Sequence, residues 1–355
     1  MRFGLVLHGI DEERPLRGLV AQAQAAEAAG FDLIWVDEDR SSEAIPPADR
    51  ALGTGPPGRG TSGSSGAVTG GGSGSGGTGL PDALAVACAL APHTAAMSVG
   101  ACCRAGVVHP AYLAEQSAVA DLVLGGRLIL GLRPAPGTEA LLAEVVDLLG
   151  AAHASVPFRH EGAQWTMPGA LEGNRFGVTE AVAVTPVPAQ LELPIWLAGA
   201  AEAVTEAAAT RAVGLVGDDS EGAAILAERW GVIQRALGPA VQRLRRVARR
   251  AVPVGTGGGP DLDRLRERLA DDQRRWRMDT VLLDLPPGAD LAWTEELVTA
   301  VARQVRPRLA MAALPPGLVE HWQTTGHHAA AGGGSTETAG GGGSTDTTHQ
   351  RSTNA

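Results

Sequence analysis

The chain has 355 residues, enough for one α/β barrel of about 250 residues with accessory segments. Apolar residues make up 44% and aromatic residues 3%, so the interior is built mainly from Ala, Val and Leu, while all 29 basic residues are arginine, which excludes Schiff-base, pyridoxal-phosphate and P-loop lysine chemistry. A net charge of -10 argues against nucleic acid as a partner, since neutralising phosphates needs a basic surface.

Residues 3–7 (FGLVL) predict a strand, and 14–30 a helix in which Leu16, Leu19, Val20, Ala23 and Ala26 recur at helical spacing before Gly30 stops it. Residues 31–36 (FDLIWV) predict the second strand, ending on Asp37-Glu38-Asp39. From Gly53 to Gly79 the chain is nearly all Gly, Ser, Thr and Pro. Such a stretch cannot bury enough apolar surface to offset its chain entropy, so 53–79 is expected to be a disordered insertion.

The fold resumes with a proline-started helix at 81–91, a buried strand at 96–103, a second proline-started helix at 110–126 and a strand at 127–132 (RLILGL). An amphipathic helix at 138–153 leads into an irregular region reaching about residue 190, with some extra strand expected. Strand and helix then alternate: 194–199, 202–212, 214–217, 220–237, a strand within 245–255, 260–277, 280–286 and 290–309. Residues 324–355 are polar and repetitive, so they are expected to form a disordered tail after a barrel domain at 1–323, and His327-His328 read as tail composition rather than a metal site.

Eight strand–helix units specify a parallel sheet, and that number predicts closure into a (β/α)₈ TIM barrel. The alternative, an open doubly wound sheet, would show a glycine-rich first turn that LHGIDE does not resemble. Barrel strands are covered on both faces, which explains the continuous apolar run of 127–132 and places the arginine that follows it, Arg133, at the mouth.

Cys88, Cys102 and Cys103 form no C-x-x-C pair and their number is odd, so no disulfide framework is expected and a reducing cytoplasm fits. The amino terminus has only a short apolar run and no segment approaches eighteen apolar residues, so neither a signal peptide nor a membrane span is expected. The basic run RLRRVARR (243–250) reads as a solvated helix end leading into a strand.

Barrel ligand sites lie at the carboxyl ends of the strands, which nominates His8, Asp37 to Asp39, Cys102 to Arg104, Arg133, Gly199 to Ala201, Asp218-Asp219 and the glycine-rich 255–259 turn. His8 offers an acid, a base or a donor to a ring. Gly199-Ala200-Ala201 enters a helix, whose backbone N–H groups suit a phosphate, although a plain strand–helix turn reads equally well from the spacing. No His-x-His or similar spacing supports a metal.

The segments GLVAQAQAAEAAGFDLIWVDED, HPAYLAEQ, LVLGGRLILGL and TPVPAQLELPIWLAG, in this order, resemble the bacterial luciferase-like flavin-dependent monooxygenases over roughly residues 1–310. The resemblance implies a TIM barrel that holds reduced FMN, or in related members F420, at the strand carboxyl ends and uses oxygen on a small organic substrate, with the reduced flavin supplied by a separate reductase. With the resemblance, His8, Glu38, Asp39 and His109 are expected around ring and substrate, while Cys103, Arg104 and Arg133, nominated by their place at the strand ends, are expected against the cofactor, the two arginines as anion or ring contacts. The resemblance further implies a phosphate site at Gly199, Ala200 and Ala201, and a homodimer. The other functions in view are an F420-dependent reductase or dehydrogenase, and a barrel that binds a flavin or small molecule without turnover.

Overall fold

The structure, a computed structural model, describes residues 1–8, 16–37, 82–168 and 180–312. The expected insertion at 53–79 and tail at 324–355 lie outside the described residues, and Met1–Ala310 form one compact unit. Eight parallel strands close a barrel: β1 (Arg2–His8), β2 (Leu33–Asp37), β3 (Ser98–Ala105), β4 (Leu128–Pro134), β7 (Ile195–Ala198), β8 (Gly214–Gly217), β9 (Arg246–Ala251) and β10 (Thr280–Asp284). Closure is made where β1 pairs with β10, from Arg2 opposite Thr280 to Val6 opposite Asp284, so the open-sheet alternative is excluded. β5 (His160–Glu161) and β6 (Thr166–Met167) form an antiparallel hairpin outside the barrel, in the region read as irregular.

Helices α1 (Leu16–Ala28), α2 (Ala83–Leu90), α3 (Pro110–Val123), α4 (Leu142–His153), α5 (Glu202–Arg211), α6 (Ala223–Leu237), α7 (Leu262–Arg275) and α8 (Leu291–Ala300) follow the strands. Aspartates cap three of them: Asp82 accepts from Leu84 N at 2.8 Å, Asp261 from Arg264 N at 3.1 Å and Asp290 from Trp293 N at 2.8 Å. The closing helix expected over 290–309 is not uniform, because Val301–Val305 form a π turn between α8 and α9 (Arg306–Ala312).

Strand periodicity divides the core into two layers. Outward residues such as Phe3, Leu5, Leu7, Val99, Leu130 and Leu283 pack against helices, whereas Val6, Leu33, Trp35, Ile129, Trp196, Val247 and Leu282 fill the barrel. Trp35 and Trp196 stack at its centre, with ring centroids 5.7 Å apart and planes 17° from parallel. Glycines make room for them: a Cβ on Gly131 would lie 2.5 Å from Trp35 Cη2, and one on Gly214 2.6 Å from Trp196 Cδ1. Covering an indole of roughly 200 Å² contributes about 5 kcal/mol at ~25 cal/mol per Å², so this pair anchors the interior.

On the outer face, Arg250 of β9 meets Asp272 of α7 in a bidentate pair, both bonds 2.7 Å, with side chains 1% and 2% exposed. The basic run 243–250 therefore corrects the solvated reading: its last two arginines lie within a strand and are buried.

Candidate active site at the barrel mouth

The inward face of each strand continues, beyond the tryptophan layer, into polar residues at the carboxyl end. On β1 the alternation Gly4, Val6, His8 points His8 to the mouth; on β2 Leu33, Trp35, Asp37 does the same for Asp37. β3 and β4 place Arg104 opposite Arg133, and β9 and β10 bring Arg249 and Asp284 to the same end.

Five of these side chains form a continuous chain. Arg133 Nη2 donates to Asp37 Oδ2 at 3.0 Å, and Arg249 donates to that same oxygen through Nη1. Arg249 Nε reaches Asp284 Oδ2 at 2.8 Å, and the other Asp284 oxygen lies 2.5 Å from His8 Nε2. Arg249 is 2% exposed and Asp37 6%, so the centre of the chain is out of water, while the His8 side chain at its end is 37% exposed.

The electrostatics follow from this sharing. Burial acts to lower the Arg249 pKa, but Asp37 and Asp284 outweigh it and hold the guanidinium above its ordinary value. Burial acts to raise the Asp284 carboxyl, yet the bonds from His8 and the charge of Arg249 hold it below the usual carboxylate range. Arg133 is opposed by burial and by Arg249, and raised on balance by Cys102, Asp37 and Asp218. Its Nε is buried with no acceptor among the described residues, a donor a ligand could occupy.

The structure brings His8 and Arg133 into one network and places Arg104 beside Arg133 in register. Glu38 and Asp39 lie outside the described residues. Cys103 belongs to the outward, helix-facing layer, and its neighbour Cys102 is the one inside the barrel. His109 caps α3: its Nδ1 accepts from Ala111 N at 3.1 Å, its ring packs edge-on to Tyr112 and Trp165, and burial pulls its pKa below the ordinary value.

At the β7 end, Gly199 has φ +126°, a region that favours glycine, and its carbonyl accepts from buried Arg229 at 2.9 Å. Ala201 starts α5 with no side-chain cap, so the first N–H groups of the helix have no such acceptor. The 255–259 turn, by contrast, bonds to itself: Gly255 N donates to Gly259 O at 2.8 Å and Gly258 N to Gly255 O at 3.0 Å. Asp218 and Asp219 are tied into neighbouring loops by Glu221, Ser220, Ala251 and Arg268. Among the described residues no group of three or more His, Cys, Asp or Glu could hold a metal, and no helix is long and apolar enough to cross a membrane.

The model of the luciferase-like monooxygenases matches residues 1–273. The chain belongs to that family. Solved structures share its fold at low identity: monooxygenase RslO1 from Streptomyces bottropensis, with TM-score 0.63, 15% identity, and 87% of this chain and 99% of that one covered. The coenzyme F420-dependent tetrahydromethanopterin reductase from Methanopyrus kandleri gives TM-score 0.62 and 13% identity, covering 87% and 99%. The FMN-bound oxygenating constituent of 3,6-diketocamphane monooxygenase from Pseudomonas putida gives TM-score 0.55 and 15% identity, covering 87% and 98%. No curated protein matches the sequence. Members of the luciferase-like family are monooxygenases and related oxidoreductases, and the neighbours named above include users of both flavin and F420.

The sequence reading missed Arg249 and Asp284 as mouth residues, and set Asp37 behind Glu38 and Asp39. The usable signal was parity: with Val247 inside the barrel, Arg249 is too, and Arg250 faces the helices.

Proposed function

We propose that this luciferase-like protein is a two-component monooxygenase that uses reduced FMN and oxygen on a small organic substrate, the flavin being reduced by a separate enzyme. The observation that carries the reading is the match of the family over a barrel whose mouth presents an unpaired buried donor, Arg133 Nε, on one side and an uncapped helix start after Gly199 on the other. Those two features fit a planar, acceptor-rich ring joined to a phosphate. The phosphate would be held by the backbone of Gly199, Ala200 and Ala201 and the start of α5, where the helix dipole favours an anion. Arg133, Arg104 and His8 would border the ring, with Glu38, Asp39 and His109 also proposed near it, whereas Cys103 faces the helices and is left out.

When bound, reduced flavin supplies the electrons that activate oxygen. The chain's own residues orient and shield. Asp284 fixes the orientation of His8 through Nε2, and Arg249 bridges the two carboxylates, so the His8 imidazole stands at the solvent end of the network, placed to accept or return a proton there. The tryptophan floor keeps water out from below.

Titration of the purified protein with FMN, reduced FMN and F420 tests the reading. Saturable binding of reduced FMN, at least tenfold tighter than F420, supports it. Tighter F420 binding with turnover in the absence of oxygen replaces it by an F420-dependent reductase. No binding of either leaves a barrel without turnover, a reading favoured by the way Asp37, Arg249 and Asp284 already satisfy one another. The proposed homodimer is supported by Tyr112, Val119, Leu122 and Val123, 62%, 43%, 49% and 53% exposed on one face of α3, and is checked by light scattering of the wild type against Leu122→Glu.

A further inference from the structure

Behind the turn that follows β7 lies a buried cluster that the ring and phosphate contacts proposed above do not use. Arg229 of α6, 9% exposed, engages all three of its nitrogens at once: Nε donates to Thr205 Oγ1 of α5 at 2.7 Å, Nη1 to Glu221 Oε1 at 2.5 Å and Nη2 to the carbonyl of Gly199 at 2.9 Å. Glu221, 5% exposed, uses its other oxygen to accept from Asp218 N at 2.8 Å. One guanidinium therefore ties the ends of β7 and β8 to the two helices that follow them.

A buried ion pair of this kind contributes little net stability, because desolvating two charges offsets most of their attraction. What an apolar side chain could not supply is a direction for the Gly199 carbonyl. Among the described residues the cis peptide bonds are Met167-Pro168 and Thr185-Pro186, so the Gly199–Ala200 peptide is trans and its N–H points opposite to its C=O. With the oxygen drawn into the helix layer by Arg229, the Ala200 N–H is turned away from that layer, and it has no acceptor among the described residues. Gly199 takes φ +126° to make this turn, although a Cβ there would meet only Val204 Cγ2, at an ordinary 3.6 Å. Conformation, not space, requires the glycine.

We propose that Arg229 is the positioning residue of the phosphate site: by holding the Gly199 carbonyl it presents the Ala200 N–H beside the uncapped start of α5. It touches no ligand atom. The proposal rests on the flavin reading for the identity of the ligand, and it deepens that reading in one respect. The phosphate is recognised by peptide dipoles fixed from behind, with Glu221 cancelling the charge of the guanidinium. Affinity for the phosphate group then depends on Arg229, while affinity for the ring does not.

The test uses the full chain with reduced FMN, with reduced riboflavin, which is FMN without its phosphate, and with inorganic phosphate, the last followed through the Ala200 amide resonance. Wild type is expected to bind reduced FMN at least tenfold tighter than reduced riboflavin and to show a saturable shift of that amide with phosphate. In Arg229→Met/Glu221→Gln, which removes both charges and keeps an acceptor for Asp218 N, the preference for FMN should fall below threefold with riboflavin affinity within twofold of wild type, and the phosphate shift should disappear. Gly199→Ala disturbs the same peptide while leaving the ion pair in place; it should do the same, and it decides the point should the double variant not fold. An undiminished preference, or equal losses for FMN and riboflavin, overturns the proposal, since a purely structural residue weakens both ligands alike. If wild type binds neither flavin, the flavin reading fails and the phosphate shift decides alone: its loss in the variants upholds the positioning role, and its absence from the wild type overturns it.

Discussion

Arg249 and Arg250 are consecutive, both buried and both ion-paired, yet they face opposite sides of the barrel wall. Arg250 points outward into a closed pair with Asp272, sealed between strand and helix. Arg249 points inward and is shared by two carboxylates, in a chain that runs from Arg133 to half-exposed His8. One residue step thus turns the same chemistry from a fastener into part of a mouth. A closed bidentate pair satisfies its partners and offers nothing to a ligand; a shared, open-ended chain leaves unused donors at its rim.

Breaking the two in turn exposes the difference. Arg250→Met leaves the Asp272 carboxylate, 1% exposed as a residue, without its only side-chain bonds among the described residues, and is expected to cost about 4 kcal/mol, lowering Tm by roughly 10 °C. The same change at Arg249 leaves each acid one partner, Arg133 for Asp37 and His8 for Asp284, so about 2 kcal/mol is expected. Affinity for reduced FMN should move the other way: at least tenfold weaker in Arg249→Met and unchanged in Arg250→Met. Calorimetry and flavin titration on the two variants check both halves; equal stability losses with equal affinities would erase the contrast.

The tryptophan floor beneath Arg249 gives a comparable handle. Gly131→Ala puts a methyl 2.5 Å from Trp35 Cη2 and 2.9 Å from the Cys102 Cα, so overpacking of about 1–3 kcal/mol is expected, read as a lower midpoint in denaturant with an unchanged slope.

How much of this was written in the chain depends on whether the cause is local. The eight core strands were legible because a strand covered on both faces shows a continuous apolar run. Closure of the ring was legible from their number and alternation. The helix starts at Asp82, Asp261 and Asp290 lie close to their expected places because a cap acts within three residues. The ion chain was not, because Arg249 finds Asp37 across 212 positions and Asp284 across 35, and a basic run carries no record of which acids face it. Cys102 and Cys103 show the same limit: alternation is certain, but its phase depends on knowing which neighbour is inside. Glycines within strands were the overlooked clue, since Gly100, Gly131 and Gly214 mark where an indole approaches the backbone.

Acid should separate the open chain from the closed pair. Asp284 is held below its unfolded value, near 3.9, so the stability it contributes is fully present above that value and is lost as pH falls toward its folded one. Thermal midpoints between pH 5 and pH 3 should therefore fall less steeply in Asp284→Asn than in the wild type. An identical slope would show that the carboxylate is not held by its partners.

The smallest effect is expected at the exposed end. His8→Ala removes the solvent-side partner of Asp284, but Arg249 Nε stays on the other oxygen at 2.8 Å, and water reaches the freed one. A half-exposed pair of this kind contributes about 0.5 kcal/mol, roughly 1–2 °C in Tm. Turnover should suffer far more than stability if the imidazole handles a proton at the rim, and a pH–rate profile that loses one limb in the variant would show that directly. A stability loss above about 2 kcal/mol would instead make His8 as structural as Arg250, and the distinction between the two faces of β9 would then rest on Arg133 alone.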